Sequence, residues 1–136
     1  MMPVSGVERL VGRLRRASDV AQAMDRWANN GAQDIAEEAV RLLDDGAILG
    51  VGHKPSIAPD PPNSDTRNLA EHTTAVDLPD VGHAAAVSDA KYSAAQEFGY
   101  APNNLPERPF MRVAASNKRK ALLDAARKAV DGVVKG

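Results

Sequence analysis

The chain has 136 residues, enough for one domain with a core of its own, and its 17 basic and 18 acidic side chains leave a net charge of −1. It has no cysteine, which excludes disulfide frameworks, thiolate metal sites and thiol catalysis. Apolar residues are 43% of the chain but aromatics only 4%, so Ala and Val supply most of a core that should be thin and completed by contacts with other subunits.

No apolar run approaches the roughly 20 residues that a membrane span needs. The opening stretch MMPVSGVERLVGRLRR mixes charges among its apolar residues and lacks the apolar block of a signal peptide. A soluble protein with no membrane partner is the expectation. Charge is unevenly spread: residues 1–46 carry six basic and eight acidic side chains, 47–106 three and seven, and 107–136 eight and three. Blocks of opposite sign can pair within one fold or head-to-tail between copies.

In chain order, Val7, Leu10, Val11 and Leu14 stand at helical spacing with Arg9, Arg13 and Arg16 opposite, which predicts a short amphipathic helix. Ser18 or Asp19 offers the N-cap of a second helix. From Asp19 to about Asp45, Val20, Met24, Trp27, Gly31, Ile35, Ala39 and Leu42 form one apolar stripe. That helix would be roughly 40 Å long. Asn29-Asn30-Gly31 marks a kink, a close-packing notch or a break, and Gly46 is the expected C-terminal cap.

Residues 46–68 hold four Pro and three Gly and predict a long loop. Its Gly50-Val51-Gly52-His53-Lys54 lacks the Gly-Lys-Ser/Thr ending of a phosphate loop. Residues 73–78 and 82–88 read as two strands joined across Pro79–Gly82, with a turn at Asp89-Ala90-Lys91. Tyr92 to Phe98 reads as a strand or a short helix. After a proline-punctuated loop, Met111 to Val133 is helical, with Pro109 suited to its first turn and Lys118, Arg119, Lys120, Arg127 and Lys128 on its polar side. The fold class is α+β: N-terminal helices including one long helix, a small antiparallel sheet and a C-terminal helix. All 136 residues form a single domain, helical over 1–45, looped over 46–68, sheet and loop over 69–105, and helical over 106–136.

Nothing in the chain resembles a catalytic constellation. His53, His72 and His83 lie on unrelated elements without metal-ligand spacing, the acidic pairs Glu37-Glu38 and Asp44-Asp45 do not converge on one site, and no Gly-x-Ser-x-Gly occurs. The expectation is a protein that is not an enzyme and has no cofactor and no metal. Glu97, at what reads as a strand end, is expected to pair with Arg108 or Arg112 across the proline loop. Phe110 is expected to pin that loop to the core, with Trp27 as its partner.

The order Tyr92-Ser93-Ala94, then Glu97-Phe98-Gly99, then Pro106 and Pro109-Phe110-Met111-Arg112 resembles the small head–tail joining proteins of long-tailed bacteriophages, also called neck or tail-completion proteins. Those proteins typically show a "YA…vEFGT" strand, a variable loop and "PARPFLRPA" leading into a C-terminal helix, preceded by "DTGxLRxS". Asp65-Thr66-Arg67-Asn68-Leu69 stands at that last place, with Arg67 for the usual glycine, and Tyr100 replaces the threonine after Glu-Phe-Gly. The resemblance covers roughly residues 7–130. It implies a virion structural protein, made in the host cytoplasm and located at the head–tail junction. Several copies would form a homo-oligomeric ring that contacts neighbouring neck and tail proteins, and DNA would pass through the lumen without sequence-specific contact. A tail terminator or head-closure role, or a nucleic-acid-binding protein using the basic C-terminal helix, is the alternative. Tyr92, Glu97, Phe98, Arg108, Phe110, Arg112, Lys118, Arg119 and Lys120 are the assembly candidates.

Overall fold

The computed structural model describes residues 5–45, 47, 52–63 and 67–134. The fold is built on one helix, α1 (Ser5–Asp44), which is 40 residues and therefore about 60 Å long. The expected boundary at Ser18 and Asp19 is not there. No proline interrupts this stretch, and both cap candidates are exposed, so they are tolerated as solvent-facing helix residues. The helix also runs unbroken through Asn29-Asn30-Gly31. Asn29 Nδ2 folds back to donate to the Asp25 carbonyl at 3.1 Å, and Gly31 serves as a close-packing notch. The Gly46 cap, the Gly50-Val51 part of the glycine-rich stretch and the Asp65-Thr66 pair lie outside the described residues.

Beyond an irregular segment over 52–63 come a single helical turn, α2 (Asn68–Glu71), and the hairpin of β1 (Thr73–Asp77) and β2 (Ala84–Ser88). The strands are antiparallel, registered from Thr73 opposite Ser88 to Asp77 opposite Ala84, and turn across Pro79–Gly82 as the sequence predicts. Side chains alternate between faces. Ala84 and Ala86 face Ala28, Ala32 and Ile35 of α1, while Thr74 and Val76, opposite Val87 and Ala85, face away from it. Gly82 has φ +76° and donates its N–H to Asp25 Oδ1 at 2.9 Å, which ties the hairpin tip to α1.

Two short pieces follow, α3 (Ser93–Phe98) and a 3-10 turn over Ala101–Asn103. Of the two readings for Tyr92 to Phe98, strand or short helix, the helix is the one that forms: Gln96 N–H donates back to the Tyr92 carbonyl at 3.0 Å, and no third strand joins the described two-stranded sheet. Last comes α4 (Met111–Val134), 24 residues and about 36 Å long.

α4 packs antiparallel on α1. Glu38 meets Asn117, Gly31 meets Leu122, and Ala23 shares a groove with Gly132 and Val133. α4 therefore ends about level with Ala23, and the first turns of α1 run on past the body. From Gly6 to Asp19 every residue except Gly12 is exposed.

The core sits at the other end. Ala39, Leu43, Leu69, Ala70, Ala90, Phe110 and Ala114 form its buried cluster, and Phe110 and Leu43 are its only large side chains sealed from solvent among the described residues. It is as thin as the composition suggests.

Candidate functional site

Four of the candidates, Glu97, Phe98, Phe110 and Arg112, meet where α3, the proline loop and the start of α4 converge. The cause is a helix that cannot cap itself. The first α-helical bond of α4 is from Ala114 N–H to the Phe110 carbonyl, so Phe110 stands at the N-cap, where a phenyl ring has no acceptor to offer. Glu97 supplies it from the end of α3. Its Oε2 accepts the N–H groups of Phe110 at 2.8 Å and Met111 at 3.0 Å, and its Oε1 accepts that of Arg112 at 3.0 Å. A negative charge at this end also suits the helix dipole.

Arg112 closes the arrangement from the helix side. Its Nε donates to Glu97 Oε1 at 2.9 Å, its Nη2 donates to the Glu97 carbonyl at 2.6 Å, and Nη2 lies 3.6 Å from Glu107 Oε2. The guanidinium carbon lies 5.3 Å from the centre of the Phe98 ring, within cation–π reach. Burial pushes the Glu97 carboxyl up, but the amides of Phe110 and Arg112, the Arg112 guanidinium and the Met111 amide together hold it below the ordinary carboxylate value.

The loop between these elements is pinned at its neck. Tyr100 and Leu105 exchange two backbone hydrogen bonds, of 2.9 and 3.0 Å. Gly99 sits at φ +77°, ψ 171°, a region essentially restricted to glycine. A Cβ there would lie 2.9 Å from the Leu105 carbonyl oxygen and 3.1 Å from the Glu107 nitrogen. The Glu-Phe-Gly triplet thus has one structural task per residue: cap, ring support and turn.

Of the expected pairings, Glu97 with Arg112 forms and Glu97 with Arg108 does not. Arg108 uses its amide on the Gln96 carbonyl at 2.6 Å, and its Nε is buried without a hydrogen-bond partner. Phe110 is fully buried, but its neighbours are Leu43, Leu69 and the alanines. Trp27 is elsewhere, donating Nε1 to the Leu122 carbonyl at 2.8 Å. Tyr92 and Phe98 are 43% and 66% exposed, and Arg119 and Lys120 point to solvent.

Lys118 turns inward, with Nζ 3.9 Å from Glu38 Oε2. Glu38 also receives Asn117 Nδ2 at 3.2 Å and Arg41 Nε at 3.0 Å. Arg41 is the main cause that lowers the Glu38 carboxyl from 4.5 to about 2; burial opposes it, and Asn117 and Lys118 add to it. This clasp between α1 and α4 was not foreseen. Only the helical periodicity that makes Glu38 flank the apolar stripe hinted at it.

Arg67, where the resembled family has glycine, holds a left-handed backbone at φ 64°, ψ 9° and pairs with Asp44 at 2.8 Å. His72 Nδ1 lies 2.7 Å from the Asn68 carbonyl and His83 Nδ1 lies 3.0 Å from that of Val81. Among the described residues no three acidic or histidine side chains gather as a metal site, and no helix is long and apolar enough to cross a membrane. Chemically, the site fixes geometry: Glu97 and Arg112 are spent on backbone groups and on each other. No family model, curated protein or solved structure matches this chain.

Proposed function

We propose that this chain is a neck or tail-completion protein of a long-tailed bacteriophage, a non-enzymatic virion component that forms a ring around the DNA channel and helps join head to tail. One observation carries the reading. Within the family-like motif, Phe110, Met111 and Arg112 converge on the buried carboxylate of Glu97, Phe98 lies under the Arg112 guanidinium and Gly99 makes the turn between them, an arrangement that sets the angle of α4. A motif spent wholly on geometry suits an assembly part. The thin core and the many exposed apolar side chains, among them Leu10, Leu14, Val81 and Phe98, support the same reading.

The test is electron microscopy of particles made without this protein. Separate heads and tails are expected, and finished, joined particles would overturn the proposal. A terminator or head-closure role at the same junction would show as tails of irregular length or as heads that lose their DNA. A second reading draws on Arg119, Lys120 and Arg127, which line a shallow exposed strip of α4 beside Leu123 and Asp124. As a nucleic-acid-binding surface it requires the free protein to bind duplex DNA with an affinity that falls steeply as salt rises.

A further inference from the structure

Two surfaces stay bare once the fold is complete, and they complement each other. The first is the projecting start of α1, where Val7, Leu10, Val11 and Leu14 are 61%, 56%, 39% and 61% exposed. At helical spacing their stripe runs on into Ala21, Met24, Ala28 and Ala32, the face that the hairpin covers further along the same helix. The arm therefore extends an interface-forming face beyond the point where its own chain can cover it. Arg13 and Arg15 lie nearest the two borders of the stripe, Arg9 and Arg16 lie on the far side of the helix, and Glu8 and Asp19 fall on the Arg15 side; none of these arginines is in an ion pair among the described residues.

The second surface is the outward side of the hairpin. Val76 faces away from α1 and Leu78 follows it two residues on, 37% and 40% exposed, and Val81 in the turn between the strands is 60% exposed. Between Glu71 and Asp89 the charged side chains are Glu71, Asp77, Asp80 and Asp89, all acidic and all exposed, with no Lys or Arg; Asp77, opposite Ala84, is on the α1 side of the strand, and Asp80 stands in the turn next to Val81. An apolar strip on a net basic arm thus has a counterpart in an apolar strip on a hairpin whose charges are all acidic.

We propose that the first four turns of α1 in one copy dock on the outward face of the β1–β2 hairpin of a second copy. The arm of a chain cannot reach its own hairpin. The tip lies beside Met24, and an unbroken helix puts Leu10 roughly 21 Å further on. Pairing of two arms would set arginine against arginine, whereas the hairpin supplies the opposite charge at the same apolar strip. Because arm and hairpin are different patches, the contact is heterologous. Each copy that joins leaves one arm and one hairpin free, so copies add in one direction until a ring closes. The proposal deepens the ring reading and rests on it for closure; the contact stands on the two surfaces.

The cysteine-free chain makes the test direct. Cysteine is placed singly at Val7, Leu10 or Leu14 in one set of chains and at Val76, Leu78 or Val81 in another; all six sites are exposed and leave the core untouched. Arm and hairpin chains are mixed in equal amounts and oxidised. Mixed arm–hairpin disulfides are expected to exceed arm–arm and hairpin–hairpin disulfides for at least one pair. Arg13→Glu on the arm chain is expected to cut the mixed product roughly tenfold, and Asp80→Lys on the hairpin chain to restore it. The contact is overturned if no mixed pair exceeds its same-surface controls, or if the yield ignores the charge reversal. Charge-dependent mixed disulfides from a protein whose loss leaves particles joined would keep the contact and sink the junction reading. Unjoined particles without mixed disulfides would do the reverse.

Discussion

Glu97 shows how one side chain can decide the placement of a whole helix. Three amide donors of α4 end on its two oxygens, and Arg112 takes a further position on Oε1. Glu97→Gln keeps the shape but replaces one acceptor with a donor and removes the charge facing the helix end. A loss of about 2 kcal/mol in chemical denaturation is expected. Arg112→Gln leaves all three amides capped and is expected to cost less than Glu97→Gln. Equal losses would mean that the ion pair, and not the cap, is what matters. Gly99→Ala belongs to the same test, since it combines a glycine-only backbone with a clash against the Leu105 carbonyl and should cost about 2 kcal/mol or more.

Between elements, the decisive contact is the crossing of α1 and α4 at Gly31. A Cβ on Gly31 would meet Leu122 Cδ2 at 2.9 Å, and Trp27 holds the Leu122 carbonyl one turn away. Gly31→Ala only pushes the free end of a flexible side chain, which its better helix propensity offsets by about 1 kcal/mol. Gly31→Leu overfills the crossing and should cost about 2 kcal/mol, part of which Leu122→Ala in the same chain should return. Trp27, the only tryptophan, reports on this crossing by its emission.

Much of this level was legible in the sequence. Helical periodicity placed α1 and α4, Pro79–Gly82 placed the hairpin, and the notch at Gly31 was among the options for a glycine in an apolar stripe. The helix boundary at Ser18 was misplaced because a residue that caps well is also tolerated inside an exposed helix. α2 and α3 span only 4 and 6 residues, too few to display a period. The role of Glu97 was hidden for another reason: its donors lie 13 to 15 residues further along the chain, beyond the reach of any local signal. Trp27 was paired with Phe110 as the only Trp and as a member of the apolar stripe of α1, but that stripe is long, and the antiparallel packing puts the two at different levels of it.

At the scale of the molecule, two depressed carboxylates hold α4 in place, Glu97 at its start and Glu38 further along. A carboxyl whose folded value is lowered adds stability above its unfolded value and loses it as pH falls towards the folded one. For Glu38 that window runs from 4.5 down to about 2, and the fall for Glu97 begins in the same range. Melting temperature should therefore be level near neutral pH and drop on acidification below about pH 4.5. Glu38→Gln should flatten the drop by about 1 kcal/mol, a modest amount because Arg41 stays in solvent. A slope unchanged by Glu38→Gln would show that the clasp does not contribute.

The continuity of α1 has a further consequence. Arm and body share one helical screw, so the direction the arm faces is set by residue count. Each residue inserted near Ala21 would turn the arm about 100° and advance it about 1.5 Å, swinging Leu10 and Leu14 off their bearing. Seven residues, close to two turns, would restore the bearing and lengthen the reach by about 10 Å. The spacing between Leu14 and Met24 thus acts as a protractor and a ruler at once, and a chain of this design tolerates length changes there only in near-whole turns.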